Sequence, residues 1–566
     1  MQESPAFNPP VPVAMSPATA PSVSDWPPRD AEHLLVTSAV MAELEASLFA
    51  SGLPVEALME KAALGVSRRL LGELCGLAAT HVPAGLADGV LVLVGPGHNG
   101  GDGLVVAREL FLAGVAVRIW CPFERLKPLT EAHRRHARWL GIPELAEPPE
   151  PERFSLWIDA LFGIGQNRAP DEALQALLAA RQQRRPGALE AIDVPTGLCA
   201  DRGLPLGAVV ATARRTWCLG LIKQGLVQDT ALGWVGRLER IDLGLAPQLL
   251  RGLDPHTPTG LGPGDQHSAP RPTPNPAAAK YGRGRLLVVA GSRRYSGAAH
   301  LALLGASASG CGSLRAALPA ELAASFWQVL PHVVVEPPVQ ANADGRTRLA
   351  ALAETWLERL DAVLIGPGIG ADPEAPGERE RWRQLLEFEG LLVLDADGLN
   401  RLALGAAALP PLEWLRQRRG PTWLTPHAGE FSRLFPSLAE LPPLRAAREA
   451  AGLSGAAVAL KGARSVVAAP DGRSWQLLAA SPAVARAGLG DVLAGYAAGR
   501  GALLGSALAS LDAGHLAVAA LDHALAGCAA ERRWGVGGAA PKAVAAELGA
   551  AGAVGCEGMD TVTALG

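Results

Sequence analysis

The chain runs to 566 residues, more than one domain at ~150 residues each, and 49% of it is hydrophobic, enough for large cores. A net charge of −4 argues against a nucleic-acid protein and against a polybasic membrane binder. Seven Cys without a CxxC pair fit free thiols in a reducing cytoplasm. The longest apolar stretch, residues 501–527, is interrupted by Asp512, His515, Asp522 and His523, so it does not read as a membrane span. The N-terminus lacks the basic segment and apolar core of a secretory signal.

In chain order, residues 1–30 are rich in Pro, Ala and Ser without periodicity and read as a tail. From Leu34 to about Leu74 apolar residues recur at helical spacing. Short apolar strands at Val90–Val94, Val115–Cys121, Leu156–Ile158, Leu189–Ile192 and Thr216–Leu219 then alternate with helical stretches. That alternation predicts a parallel sheet covered on both faces, a first domain over residues 31–250. Residues 251–277 are Pro-rich and read as an extended linker. Strands at Leu286–Ala290, Ala362–Ile365, Leu391–Leu394, Thr422–Leu424 and Ala457–Leu460 define a second α/β domain over 278–548, and 549–566 read as a second tail.

The first-half segment LVGPGHNGGDGLVVAREL follows a strand and opens a helix, and Gly95, Gly97 and Gly100 satisfy GxGxxG. A dinucleotide reading is weakened by Asp102, which would repel a pyrophosphate, and by the extra Gly101 and Gly103. Asp102 also reads as a helix N-cap. DALFGIG and DVPTG place Asp159 and Asp193 at further strand ends, where parallel sheets bind ligands. Asn99, Asp159 and Thr196 converge as oxygen donors for a hard cation rather than zinc, with Asp193 as an acid or base. His133 and His136, three apart among arginines, read as a solvated helix face.

In the second half, GSRRYSGAAH, AVLIGPGIG, LLVLDADGLNRL, LTPHAGEFSRL, LKGARSVV and ARAGLGDVLAG follow one another at strand ends. They bring forward Asp395, Asp397, Asn400, His427, Glu430, Lys461, Gly488, Gly490 and Asp491. A glycine loop opening a helix offers N–H groups to phosphate oxygens. Asp491, in the first turn, is placed to take a proton from a hydroxyl that then attacks a phosphoryl group.

LMEKAA, GPGHNGGDG, DALFGIG, DVPTG and LIKQG resemble the N-terminal domain of the YjeF family, the NAD(P)H-hydrate epimerases, over about residues 34–245. His98 stands where the family usually has Asn. The resemblance implies potassium at Asn99, Asp159 and Thr196. It implies substrate contacts at His98, Asn99, Gly100, Gly101 and Asp102, at Gly163, Ile164, Gly165, Gln166, Asn167, Arg168 and Ala169, and at Asp193, which is also the catalytic residue. Residues 278–548 resemble the family's C-terminal domain, a relative of the ribokinase fold that acts as an ADP-dependent NAD(P)H-hydrate dehydratase. That implies substrate contacts at Ala298, Gly368, His427, Glu430 and Asp491, with Asp491 as the base. Nucleotide contacts fall on Lys461, Gly462, Ala463, Arg464, Ser465, Gly488 and Gly490, with magnesium accompanying ADP. The loop SPAVARAGLGD departs from the family pattern N-x-G-M-A-T-G-G-[ST]-G-D at Ser481, Arg486, Ala487 and Leu489, where Leu489 removes a hydroxyl.

The expected architecture is therefore two α/β domains, a Rossmann-like three-layer α/β/α domain followed by a ribokinase-like one. The expected activity is repair of hydrated NADH and NADPH by a cytoplasmic homo-oligomer that binds neither nucleic acid nor membrane. Three alternatives stand beside it: a small-molecule kinase fused to a non-catalytic Rossmann-like module, a dehydrogenase, and a binding module without turnover.

Overall fold

The computed structural model describes residues 26–75, 88–271, 277–337, 339–341, 344–371, 377–479, 481, 484–504 and 511–551. Of the expected tails and linker, residues 1–25, 272–276 and 552–566 lie outside the described residues. The rest forms the two α/β units that the alternation predicts, each built on one main sheet.

The first sheet has seven parallel strands in the order Glu144–Leu145, Val117–Trp120, Val90–Val94, Leu156–Ala160, Leu189–Ile192, Arg215–Leu219 and Arg237–Ile241. Val90–Val94 is buried along its whole length, as a strand covered by helices on both faces must be. The chain runs outward from Val90–Val94 in one direction, then restarts on its other side at Leu156–Ala160. The gap between those two strands is the topological switch point, the crevice where such sheets bind ligands.

The second sheet has ten strands. Its parallel centre is Arg285–Val289 flanked by Ser313–Ala317 on one side and by Ala362–Ile365, Leu391–Leu394, Thr422–Leu424 and Ala457–Leu460 on the other. Alternate residues feed opposite cores: Leu286 and Val288 pack with the helices Ser296–Ala308 and Leu489–Ala502, while Leu287 and Val289 pack with Trp382, Trp414 and Leu399. The helix Ala513–Gly538 is long and apolar enough to cross a membrane, but Leu516, Val518 and Leu521 on it are buried in the first of these cores.

Three sequence expectations differ from this picture. The helical reading from Leu34 to Leu74 resolves into a short strand, Leu35–Val36, and two helices, Ser38–Ala50 and Val55–Cys75. Leu35–Val36 pairs with Ile222–Lys223, a long-range contact that periodicity does not encode. Within the expected linker, Thr259–Leu261 is an edge strand of the second sheet, paired with Ser474–Leu477. Its prolines flank the strand, so it keeps its donors. Within the expected N-terminal tail, Trp26 is 2% exposed and packs with Leu261, Ala269 and Trp475, its indole N–H donating to the Asp265 carbonyl. An indole with a partner for its N–H supplies enough buried area to anchor a Pro-rich segment.

Candidate active sites

The first site is built at the switch point of the seven-stranded sheet. The glycine segment turns directly into the helix His98–Leu112, capped by Gly97. A Cβ on Gly100 would meet the Gly95 carbonyl at 2.0 Å, and one on Gly95 would meet the Leu161 carbonyl at 1.6 Å. Both glycines are thus demanded by close approach of backbone to backbone. Asp102 is not the N-cap: it lies one turn inside this helix, buried. Three glycines around it hide the helix start from a propensity reading. Burial, then Asp193 and Glu45 nearby, raise its pKa well above the ordinary carboxylate value.

Asp193 follows the strand Leu189–Ile192 with φ +67°, a left-handed conformation that aspartate tolerates better than most residues. One carboxylate oxygen lies 2.5 Å from the Lys223 ammonium, and the other accepts the Ile164 N–H at 2.9 Å. Lys223 is fully buried and also donates to the Leu219 carbonyl at 2.7 Å. Glu45, from the helix Ser38–Ala50, is raised by burial and by Asp193, with Lys223 pulling the other way. The site therefore contains three carboxyl groups around one lysine.

Asn99 stands beside Gly163, and Gly163 beside Asp193: a Cβ on Gly163 would come 3.5 Å from the Asn99 side chain and 2.8 Å from the Asp193 carboxylate. Asp159, fully buried, accepts the Thr196 hydroxyl and N–H, both at 2.8 Å, and the Leu161 N–H at 3.2 Å. Burial raises its pKa to about 6 against those donors. Both polar atoms of the Asn99 amide are buried without a partner. An orphaned amide oxygen and a buried carboxylate with only neutral donors fit a hard, oxygen-seeking cation. Among the described residues no cluster of three His, Cys, Asp or Glu offers a softer metal site.

The Gly163–Ala169 loop closes over this floor. Gln166 ties it down, donating to the Pro195 carbonyl at 3.2 Å and accepting the Gly197 N–H at 2.7 Å, while Asn167 and Arg168 are exposed. His98 faces outward into a cleft of about 410 Å³ shared with Glu56 and Lys127. Burial and Lys127 lower its pKa. His133 and His136 fall elsewhere, on the helix Pro128–Trp139, with His136 stacked on the exposed Trp139.

The second site occupies the carboxyl edge of the ten-stranded sheet. Ala298 and Gly368 meet at its switch point, where a Cβ on Gly368 would come 2.8 Å from Ala298. Further along the edge a cleft of about 470 Å³ is lined by Asp395, His427, Glu430, Lys461, Gly462, Ala463, Ser465 and the Val484–Asp491 loop. Asp491 is the third residue of the helix Leu489–Ala502, whose N-terminus opens on the cleft behind Gly488. Burial, then Asp395, Glu430 and Asp397, push its pKa up to about 7, with Lys461 opposing. Glu430 is likewise raised to about 6, first by burial.

Lys461 bridges the strands: its ammonium is 2.7 Å from Asp395 and 3.8 Å from Glu430. Burial works against the ammonium, but Asp395 and Glu430 more than offset it, and its pKa lies above the ordinary lysine value. His427 and Glu430 form a reciprocal cap on the helix Ala428–Leu434. The His427 ring accepts the Gly429 N–H at 2.9 Å, and the Glu430 carboxylate accepts the His427 N–H at 2.9 Å. Half of the imidazole remains exposed to the cleft.

Several expected contacts differ. The Arg464 side chain leaves the cleft and donates to the Leu226 carbonyl of the first domain at 3.2 Å, because the outer side of its loop is packed against that domain. Ala298 and Gly368 lie outside the cleft itself, at the neighbouring switch point. Leu489 is 4% exposed and packs into the hydrophobic core beneath the cleft floor that it helps to form. Arg486 lines the cleft and donates to the Val536 and Gly537 carbonyls, which ties the altered loop to the last turns of Ala513–Gly538. Sequence reasoning passed over Lys223 and Glu45, and it brought Asp395 forward at a strand end without giving it a role. The buried lysine of LIKQG was the available signal for the first.

Residues 286–548 match the family described as NAD(P)H-hydrate dehydratase, and residues 55–225 match the family described as YjeF-related protein N-terminus. A bifunctional NAD(P)H-hydrate repair enzyme of Gloeobacter violaceus is 46% identical over 484 residues, covering 84% of this chain and 89% of that protein. The enzyme of the same description from a Synechocystis species is 40% identical, covering 88% and 91%, and that from Escherichia coli 31%, covering 82% of each. Among solved structures, an ADP/ATP-dependent NAD(P)H-hydrate dehydratase from Bacillus subtilis, co-crystallised with ATP and Mg2+, is 23% identical, with a TM-score of 0.40 over 51% of this chain and 96% of that one. With both domain families matched in order and relatives this similar over most of its length, the chain belongs to the family of bifunctional NAD(P)H-hydrate repair enzymes.

Proposed function

We propose that the first domain interconverts the R and S hydrates of NADH and NADPH and that the second dehydrates the S form at the expense of ADP, releasing AMP and phosphate. The observation that carries the second half of this reading is Asp491, held in a cleft at a helix N-terminus with a pKa of about 7. A carboxylate so poised accepts a hydroxyl proton near neutral pH. As the proton moves to Asp491, the hydroxyl oxygen forms a bond to the β-phosphorus of ADP and AMP leaves. The C–O bond then breaks, phosphate departs in place of hydroxide, a proton leaves the adjacent ring carbon, and the double bond is restored. N–H groups at Gly488–Gly490 and the Lys461 ammonium support the transferring phosphoryl charge, and magnesium accompanies the nucleotide. His427 and Glu430 border the substrate side.

In the first domain Asp193 moves the proton, with Lys223 holding its carboxylate in place, and Asn99, Asp159 and Thr196 hold potassium. When bound, that ion supplies positive charge against the buried Asp159. The carboxyl groups of Asp102, Glu45 and Asp193, gathered around one lysine, support proton handling at this site.

The test is recovery of reduced-nicotinamide absorbance from mixed R and S hydrates by the purified chain with ADP, potassium and magnesium. Recovery of both epimers is expected. Accumulation of a stable phosphorylated product instead would favour a small-molecule kinase.

A further inference from the structure

The loop Lys461–Ser465 has a cleft-facing side and an outer side, and the outer side is held by the other domain. The Ala463 N–H donates to one carboxylate oxygen of Asp229 at 2.8 Å and the Arg464 N–H to the other at 2.7 Å. Two successive backbone N–H groups form an anion-binding concavity, and here a side chain of the same chain fills it. Gly462 permits the approach: a Cβ there would lie 2.4 Å from an Asp229 oxygen. Two further links run in parallel, Arg464 to the Leu226 carbonyl at 3.2 Å and the buried amide pair Gln228–Gln476 at 3.2 Å. Gln476 in turn donates to the Arg464 carbonyl at 2.7 Å. Asp229 lies six residues beyond Lys223, on the segment that leads out of the first active site.

We infer that Asp229 of the first domain is a positioning residue for the nucleotide loop of the second, so that the ADP site is completed across the domain boundary. This rests on Lys461–Ser465 being the nucleotide loop. A carboxylate bonded to both N–H groups fixes the loop before ADP arrives, which lowers the ordering cost of binding. It also denies those two donors to the nucleotide phosphates, leaving the inner donors at Gly488–Gly490 to take them. An asparagine does not reproduce this pattern, in which each N–H has its own charged oxygen: its NH2 would face one of the two N–H groups, donor against donor.

The experiment compares the full chain with Asp229→Asn and Asp229→Ala. Dehydration of purified S hydrate gives KM for ADP and kcat, calorimetric titration gives the ADP Kd, and R-to-S interconversion and thermal melting are followed on the same samples. Both variants should raise KM and Kd for ADP on the order of tenfold, the effect of about 1.4 kcal/mol. The kcat and epimerisation rate should stay within about twofold. An unchanged Kd and KM in variants that melt like the parent would overturn the inference alone. Joint loss of kcat, epimerisation and melting temperature in both variants would also overturn it, by showing a purely structural role. An unmodified chain that binds no ADP would overturn it together with the reading of the loop.

Discussion

Asp193 and Asp491 both lie at the carboxyl edge of a sheet, Asp193 directly after a strand and Asp491 in the first turn of a helix, and their surroundings differ. Asp193 meets the Lys223 ammonium at 2.5 Å, inside a left-handed turn. Near Asp491 the lysine gives its short contact to Asp395 instead, and burial among carboxylates carries Asp491 up to about 7. The first arrangement fixes a carboxylate in place, and the second keeps one ready to exchange a proton near neutrality. The comparison teaches that what distinguishes the two carboxylates is where the nearby lysine makes its short contact, with Asp193 itself in the first site and with Asp395 in the second.

The sharpest way to break the comparison is to remove each carboxylate's function separately. Asp491→Asn should lower dehydration by about 10²–10⁴-fold, the range for a lost general base, and leave epimerisation intact in an R-to-S exchange assay. Lys223→Met leaves Asp193 buried beside two other carboxyl groups without its cation. It should destabilise the first domain by ~3–5 kcal/mol, seen as an early melting transition, and abolish epimerisation.

The pH profile sharpens the contrast. Asp491 must be ionised to accept a proton, so kcat/KM for dehydration should fall about tenfold per unit below pH ~7. Asp395→Asn removes a raising charge and frees Lys461, which lowers the Asp491 pKa, so the inflection should move to lower pH. An inflection that stays put in that variant would detach the profile from Asp491. The smallest expected effect is at the altered loop: Leu489→Thr restores a hydroxyl but removes core packing. It should cost about 2 kcal/mol by chemical denaturation without tightening ADP binding, because the side chain faces the core.

Much of both sites was legible because glycine loops and strand-end aspartates are local signals. Gly95–Gly103, Asp159 and Asp193 sit where short apolar runs stop and Gly488–Asp491 where an apolar helix starts, and the fold brings them to the carboxyl edges of the sheets. The partners were less legible, because pairing is not local. Lys223 reaches Asp193 from two strands further on, and Lys461 reaches Asp395 across 66 residues. Trp26 and Thr259–Leu261 were misread for a related reason. Proline-rich composition describes a segment's own preferences, whereas the buried indole and the free edge of the second sheet decide where it docks.

The most direct test of the account separates the epimers. Purified S and purified R hydrate would each be given to Asp193→Asn and Asp491→Asn chains with ADP, potassium and magnesium, and reduced-nicotinamide absorbance followed. The account predicts that Asp193→Asn restores the S form at the parental rate and the R form only as fast as it epimerises unaided, while Asp491→Asn restores neither. Equal recovery of both epimers by Asp193→Asn, or undiminished recovery by Asp491→Asn, would contradict the division of labour between the two carboxylates.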